Sequence, residues 1–236
     1  ADRILKGPEP LSVYVFADRN AFVEFVRAVD AENAQEPGEV HVRLDLETPY
    51  IAVQDPQAAQ ADPAEPAPAA QPPVRKSARR ARGNAGPSTD PDHRQLAGLV
   101  VEALGEGVST ASGGTPPRWL SLGIGTLAAS AVEPQAAGYY FNLRRQAARA
   151  YASGGTAGAS ELLGGQGETV AVRGLGYSLL GWLQDAHRQA FVPFIRAVHE
   201  DGKKLDDVLR EGLGTSREEF LAAWASTVDP RLLEEP

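Results

Sequence analysis

The alternation of apolar and polar positions divides the chain into a short strand-bearing start and a long helical remainder. Residues 11–16, Leu-Ser-Val-Tyr-Val-Phe, are β-branched and aromatic over a stretch too short for a helix, and predict a strand. Asp18 or Asn20 then supplies an N-cap, and Phe22, Val23, Phe25, Val26 and Val29 recur at helical spacing. Over residues 39–46 the pattern changes to alternation, with Val40, Val42, Leu44 and Leu46 on one side and His41, Arg43 and Asp45 on the other. That is the signature of a half-buried strand. Residues 50–53 predict a further short strand, so residues 1–54 read as a small sheet with one packed helix.

Residues 55–90 break the pattern. Ala, Pro and Gln dominate 55–73, a basic cluster of Arg75, Lys76, Arg79, Arg80 and Arg82 follows, and then Gly83-Asn84-Ala85-Gly86-Pro87-Ser88. Too few apolar side chains are present to offset the entropy of ordering, and a mobile insertion within the domain is expected. From residue 92 the spacing is helical over 92–105, 117–131, 139–152, 170–185, 188–200, 204–212 and 216–227. Gly113-Gly114, Pro134, Gly154-Gly155, Gly164-Gly165, Gly202 and Gly214 punctuate these segments. The string Ala-Ser-Gly-Gly-Thr occurs at 111–115 and at 152–156, both expected at helix ends. Thr215 or Ser216 opens the last helix, where Glu218 and Glu219 suit the positive end of its dipole. Strands first and helices afterwards predict an α+β fold, one domain over 1–236 whose part at 91–236 is mainly helical.

Composition narrows the function classes. With 236 residues of which 42% are hydrophobic, a substantial core is expected. A net charge of −8 opposes general binding to nucleic acid or anionic membranes, which need a positive field. Without cysteine there are no disulfides, thiolate metal sites or cysteine nucleophiles. No apolar run approaches the ~18–20 residues of a membrane span. No signal peptide is visible, though one could have been trimmed away, and without methionine the chain is expected to lack its initiator or to be an excised segment.

Candidate chemistry is sparse. His41, His93, His187 and His199 are the only histidines, and none pairs at helical spacing, so surface or capping roles are expected. Glu102 and Glu106 lie four apart and share a helix face; a paired acid site is one reading and a solvated face the simpler one. Ser178 lacks the glycine that a nucleophile elbow places two residues on, Leu180 standing there instead, and a buried helix is expected. Gly202-Lys203-Lys204 lacks the remainder of a phosphate loop. Trp119, Trp182 and Trp224 fall on apolar faces, where core packing is the ordinary role. The basic cluster at 75–82 departs from the acidic background; it could dock an acidic partner or polyanion, and a solvated loop is the simpler reading.

A longer pattern joins these pieces. His93-Arg94-Gln95-Leu96-Ala97-Gly98 opens one helix, Pro117-Arg118-Trp119-Leu120-Ser121-Leu122-Gly123 opens the next, and Tyr177 to Leu183 and Phe194 to Val198 follow in order. With the strand and helix of residues 13–29 before them, the order and spacing resemble the gluzincin, or peptidase MA-like, superfamily of zinc peptidases, and in particular bacterial domains of that fold. The resemblance implies H-E-x-x-H on the first helix and W-L-x-E-G on the second. Two histidines one turn apart and the second-helix glutamate would ligate Zn²⁺, and the glutamate after the first histidine would polarise bound water. On the matching positions this chain carries Arg94, Gln95, Gly98 and Leu122. A guanidinium has no lone pair to donate, glycine and leucine offer no ligand, and glutamine is no base. Sliding the register to His93 recovers one ligand and still no motif.

The resemblance thus implies a non-catalytic relative without metal or other cofactor, a binding or scaffold domain that reuses a peptidase cleft. Its partner would be a peptide or protein segment, with Arg94, Glu102 and Trp119 as candidate contacts and Arg94 as a cation able to hold an anion or carboxylate. Two alternatives stand beside it: an active metal-dependent hydrolase whose ligands lie elsewhere, and an assembly component that uses residues 55–90 as a tether. Relatives of this kind are often exported or associated with the cell envelope.

Overall fold

The computed structural model describes residues 11–30, 40–44, 49–55, 94–111, 116–199 and 203–233. Residues 56–90 of the insertion, with its basic cluster, and His93 lie outside the described residues. The fold is α+β: a small N-terminal sheet followed by a helical half.

Strands β1 (Ser12–Phe16), β2 (Val40–Arg43) and β3 (Tyr50–Gln54) form a sheet in the order β1-β3-β2. β1 runs parallel to β3, and β2 antiparallel to it with Val42 opposite Ile51. The helix expected after β1 is α1 (Arg19–Val29), and its cap is Asp18, whose carboxylate accepts from the Ala21 N–H at 2.8 Å. The nearly unbroken apolar run of β3 has a simple cause, since both of its faces are covered. Tyr50 and Ala52 pack on Phe22 and Val26 of α1, and Ile51 and Val53 pack on Leu99 and Ala103 of the next helix.

That helix is α2 (Leu96–Ala111), followed by α3 (Arg118–Val132), α4 (Ala137–Leu163), α5 (Thr169–Ala186), α6 (Arg188–His199), α7 (Leu205–Gly212) and α8 (Arg217–Ser226). The main core gathers Trp119, Leu120, Leu175, Leu183, Leu221 and Trp224, each essentially free of solvent. Burial of each such side chain contributes roughly 1.5–3 kcal/mol, which fixes the helices far more firmly than their intrinsic propensities. Glycines set the helix spacing: a Cβ on Gly105 would lie 2.6 Å from Gly125 Cα, and one on Gly176 would lie 2.1 Å from the Trp119 carbonyl oxygen. α3 therefore meets α2 and α5 backbone to backbone.

Two boundaries differ from the sequence pattern. α2 continues beyond residue 105 to Ala111, because Gly105 and Gly107 serve close packing there and do not end the helix. α4 runs on to Leu163 across a break at Gly155, whose φ of 59° and ψ of −150° suit glycine alone, so the second Ala-Ser-Gly-Gly-Thr string joins two helical pieces. Ser178 lies in the body of α5 and accepts a hydrogen bond from Trp224 Nε1 at 3.0 Å. The capping box of α8 is present, with Ser216 and Glu219 bonding reciprocally. No described helix is long and apolar enough to cross a membrane.

Candidate functional site

The site is built where the start of α2 meets the end of α3. Glu133 caps α3, and its side chain is fully buried. One carboxylate oxygen accepts from Arg94 Nε at 2.6 Å and from the Tyr140 hydroxyl at 2.5 Å; the other accepts from the Gln95 backbone N–H at 2.8 Å. The last bond satisfies an N–H that the first turn of α2 leaves open, and places a negative group at the positive end of that helix. Gly98 makes room for it. A Cβ there would lie 1.9 Å from the Glu133 carboxyl carbon.

Arg94 carries the network onward. Its Nη2 meets Glu102 at 2.9 Å, and its guanidinium lies 4.4 Å from the centroid of the Tyr139 ring. Arg173 of α5 pairs with Glu102 and, at 3.1 Å, with Glu106. Alternating charges thus run Glu133, Arg94, Glu102, Arg173, Glu106, each carboxylate held by a guanidinium. Buried charges are tolerated when paired; Glu133 is also hydrogen-bonded, whereas Arg94 Nη2, Glu102 Oε2 and Glu106 Oε1 meet their opposite charges without hydrogen-bond geometry.

Above this row lies a cavity of about 360 Å³, lined by Val40 and Val42 of β2, Leu99, Glu102, Ala103 and Glu106 of α2, Arg94, Tyr139 and Leu143, and Thr169, Val170 and Arg173 of α5. Its volume sits at the lower end of the range for ligand pockets. Burial pushes Glu106 up to about 7, against the opposing pull of Arg94 and Arg118. Tyr140 is pushed far above its usual range, first by burial and then by the hydrogen bond it donates to Glu133. Burial likewise raises Tyr139, with Arg94 pulling the other way.

The sequence-predicted residues separate here. Arg94 and Glu102 come together, and Glu106 joins them through Arg173. The solvated face expected for Glu102 and Glu106 is not found: Glu102 is 6% exposed, because Arg94 and Arg173 close over it. Arg94, expected as a cation able to hold an anion or carboxylate, is largely buried, and the carboxylates that meet it are the protein's own. Trp119 is 1% exposed in the helical core and does not line the cavity, where Tyr139 and the start of α5 stand in place of α3. Leu122 packs in that same core, and Gln95 contributes its backbone N–H. His199, for which a surface or capping role is expected, stands in the last turn of α6 and is buried, and His41 pairs with buried Asp30 at 3.1 Å beside Arg43.

These placements do not fit a zinc ion. Arg94 brings a positive charge already matched by two carboxylates, the space beside Gly98 is filled by Glu133, and Leu122 faces the core. Among the described residues no three His, Cys, Asp or Glu side chains are grouped to hold a metal.

Glu133, Tyr139, Tyr140 and Arg173 escaped the sequence reading. A signal was present for two of them. Arg173 stands between Val172 and Gly174 in an otherwise apolar stretch, and Glu133 ends an apolar helix just before Pro134. Charges embedded in apolar segments ask for partners. Comparison with protein-family models, with curated proteins and with solved structures finds no match to this chain.

Proposed function

We propose that the chain is a non-catalytic binding module that holds an extended peptide or protein segment at the cavity beside β2. The observation that carries this reading is the double role of β2. Its Val40 and Val42 line the cavity, and among the described residues the strand pairs with β3 alone, so its other edge is where a bound segment would add its backbone hydrogen bonds. A segment laid along that edge projects alternate side chains toward the cavity. Hydrolysis is not part of the proposal, because the positions that the peptidase resemblance assigns to ligands and base carry Arg94, Gln95, Gly98 and Leu122. Arg94 and Glu133 instead join α2 to α3 as a fixed wall below the cavity.

Selection of a random extended-peptide display library on the immobilised protein tests the reading. Enriched peptides are expected to slow amide hydrogen exchange at Val40–Arg43. No enrichment, or protection confined to other elements, contradicts it. Chelator-sensitive cleavage of a fluorogenic peptide by the purified protein would favour the hydrolase alternative.

A further inference from the structure

Within the charged row, Glu106 is the least satisfied member. Among the described residues Glu133 has three hydrogen-bond donors and Glu102 two guanidiniums, whereas Glu106 has one ion pair, from Arg173 to its Oε1. The described charged or titratable groups around it are Arg94, Arg118, Arg173, Glu102 and Tyr139. Arg94 is committed to Glu133 and Glu102, and Arg118 donates to the Thr169 hydroxyl. The side chain of Glu106 is 28% exposed and lines the cavity; Oε1 is its buried oxygen, and among the described residues Oε2 meets no donor, which leaves it for a donor from a ligand. Val40, Val42, Leu143 and Val170 supply apolar wall beside it.

We propose that this cavity receives a primary ammonium group on Glu106, its alkyl stem lying against the valines and Leu143. The chemistry is that of a lysine side chain on a bound segment, which rests on the peptide reading above, or of a free alkylamine. A single open oxygen suits the compact ammonium better than a guanidinium, which needs both carboxylate oxygens for its fork. The methylene stem adds apolar burial while the head stays charged. Glu106 is held as a carboxylate above about pH 7 and as the neutral acid below it, burial being the main cause. An alkylammonium keeps its charge until roughly pH 10. Affinity therefore rises as pH passes through 7 and levels above it.

The experiment titrates the full chain and Glu106→Gln at pH 8 and pH 5.5 with three probes, followed by calorimetry and amide chemical shifts. The probes are n-butylammonium, a blocked extended peptide with one lysine among valines and threonines, and the same peptide with norleucine at that position. The expected result is about tenfold tighter binding of the lysine peptide than the norleucine peptide to wild type at pH 8, with the difference lost at pH 5.5 and in Glu106→Gln. Equal binding of the two peptides overturns the ammonium site and leaves the peptide reading standing. Butylammonium binding that Glu106→Gln abolishes, with neither peptide bound, supports the site with a free amine as its source and removes the peptide reading. No lysine-over-norleucine preference, together with no butylammonium binding to wild type, overturns the site even if the variant fails to fold.

Discussion

Replacing Gly98 with alanine puts a methyl carbon 1.9 Å from the Glu133 carboxyl carbon and 2.0 and 2.3 Å from its oxygens. A free carboxylate would swing away at little cost. This one is fastened by Arg94, Tyr140 and the Gln95 N–H, so moving it forfeits bonds to charged groups of about 1.5–3 kcal/mol each. Partial relaxation saves some of that, and alanine returns up to about 1 kcal/mol of helix propensity. Gly98→Ala is expected to destabilise the protein by about 2–4 kcal/mol. Glu133→Ala alone should cost about 3–5 kcal/mol, since it strands Arg94 beside a single carboxylate. In that background the obstacle is gone, and Gly98→Ala should become neutral or stabilising by up to about 1 kcal/mol. Urea unfolding of the four proteins closes the double-mutant cycle, with an expected coupling of about 2–5 kcal/mol. A neutral Gly98→Ala in wild type, or effects that add within about 0.5 kcal/mol, would refute the claim that Glu133 fills this space.

The remaining expectations concern separate parts of the molecule. Because the folded pKa of Glu106 lies near 7 and above its unfolded value, the folded state holds an extra proton between the two, and stability falls as pH rises through that window and is level above it. Glu106→Gln should flatten this slope in urea titrations from pH 5 to pH 8, a change on the order of 2 kcal/mol across the window; an unchanged slope contradicts the assignment. Gly176→Ala should lower stability by about 3 kcal/mol, because its Cβ would meet the Trp119 carbonyl, which belongs to a backbone that cannot swing aside; a thermal midpoint equal to wild type contradicts that crossing. Ser216→Ala removes one half of the α8 capping box and should cost about 1 kcal/mol, read from the same unfolding curves.

The alternating strand and the aliphatic stripe of α1 are strong periodic signals, and they locate β1, β2, β3 and α1 to within a few residues. The helical segments were legible for the same reason. Glycine misled where it does two jobs: Gly105 and Gly107 sit inside α2 as packing contacts, and Gly155 breaks α4 without ending it. Those roles depend on which helix lies opposite, which one sequence does not state. The site was half legible. Arg94 stands just ahead of α2 and Glu102 two turns along it, so both were read from one stretch of chain, whereas Glu133 and Arg173 arrive from α3 and α5 through tertiary packing. Burial of Glu102 is likewise invisible locally, because helix carboxylates are ordinarily solvated.

A buried Arg94–Glu133 pair stands at the junction of α2 and α3, where the peptidase resemblance expects a metal. Elemental analysis of protein purified without added metal, then dialysed against a small molar excess of zinc and afterwards against zinc-free buffer, addresses it most directly. Retained zinc well below one ion per chain is the expected result, with a thermal midpoint unmoved by chelator. One tightly held zinc per chain, lost on chelation together with a drop in that midpoint, would contradict it.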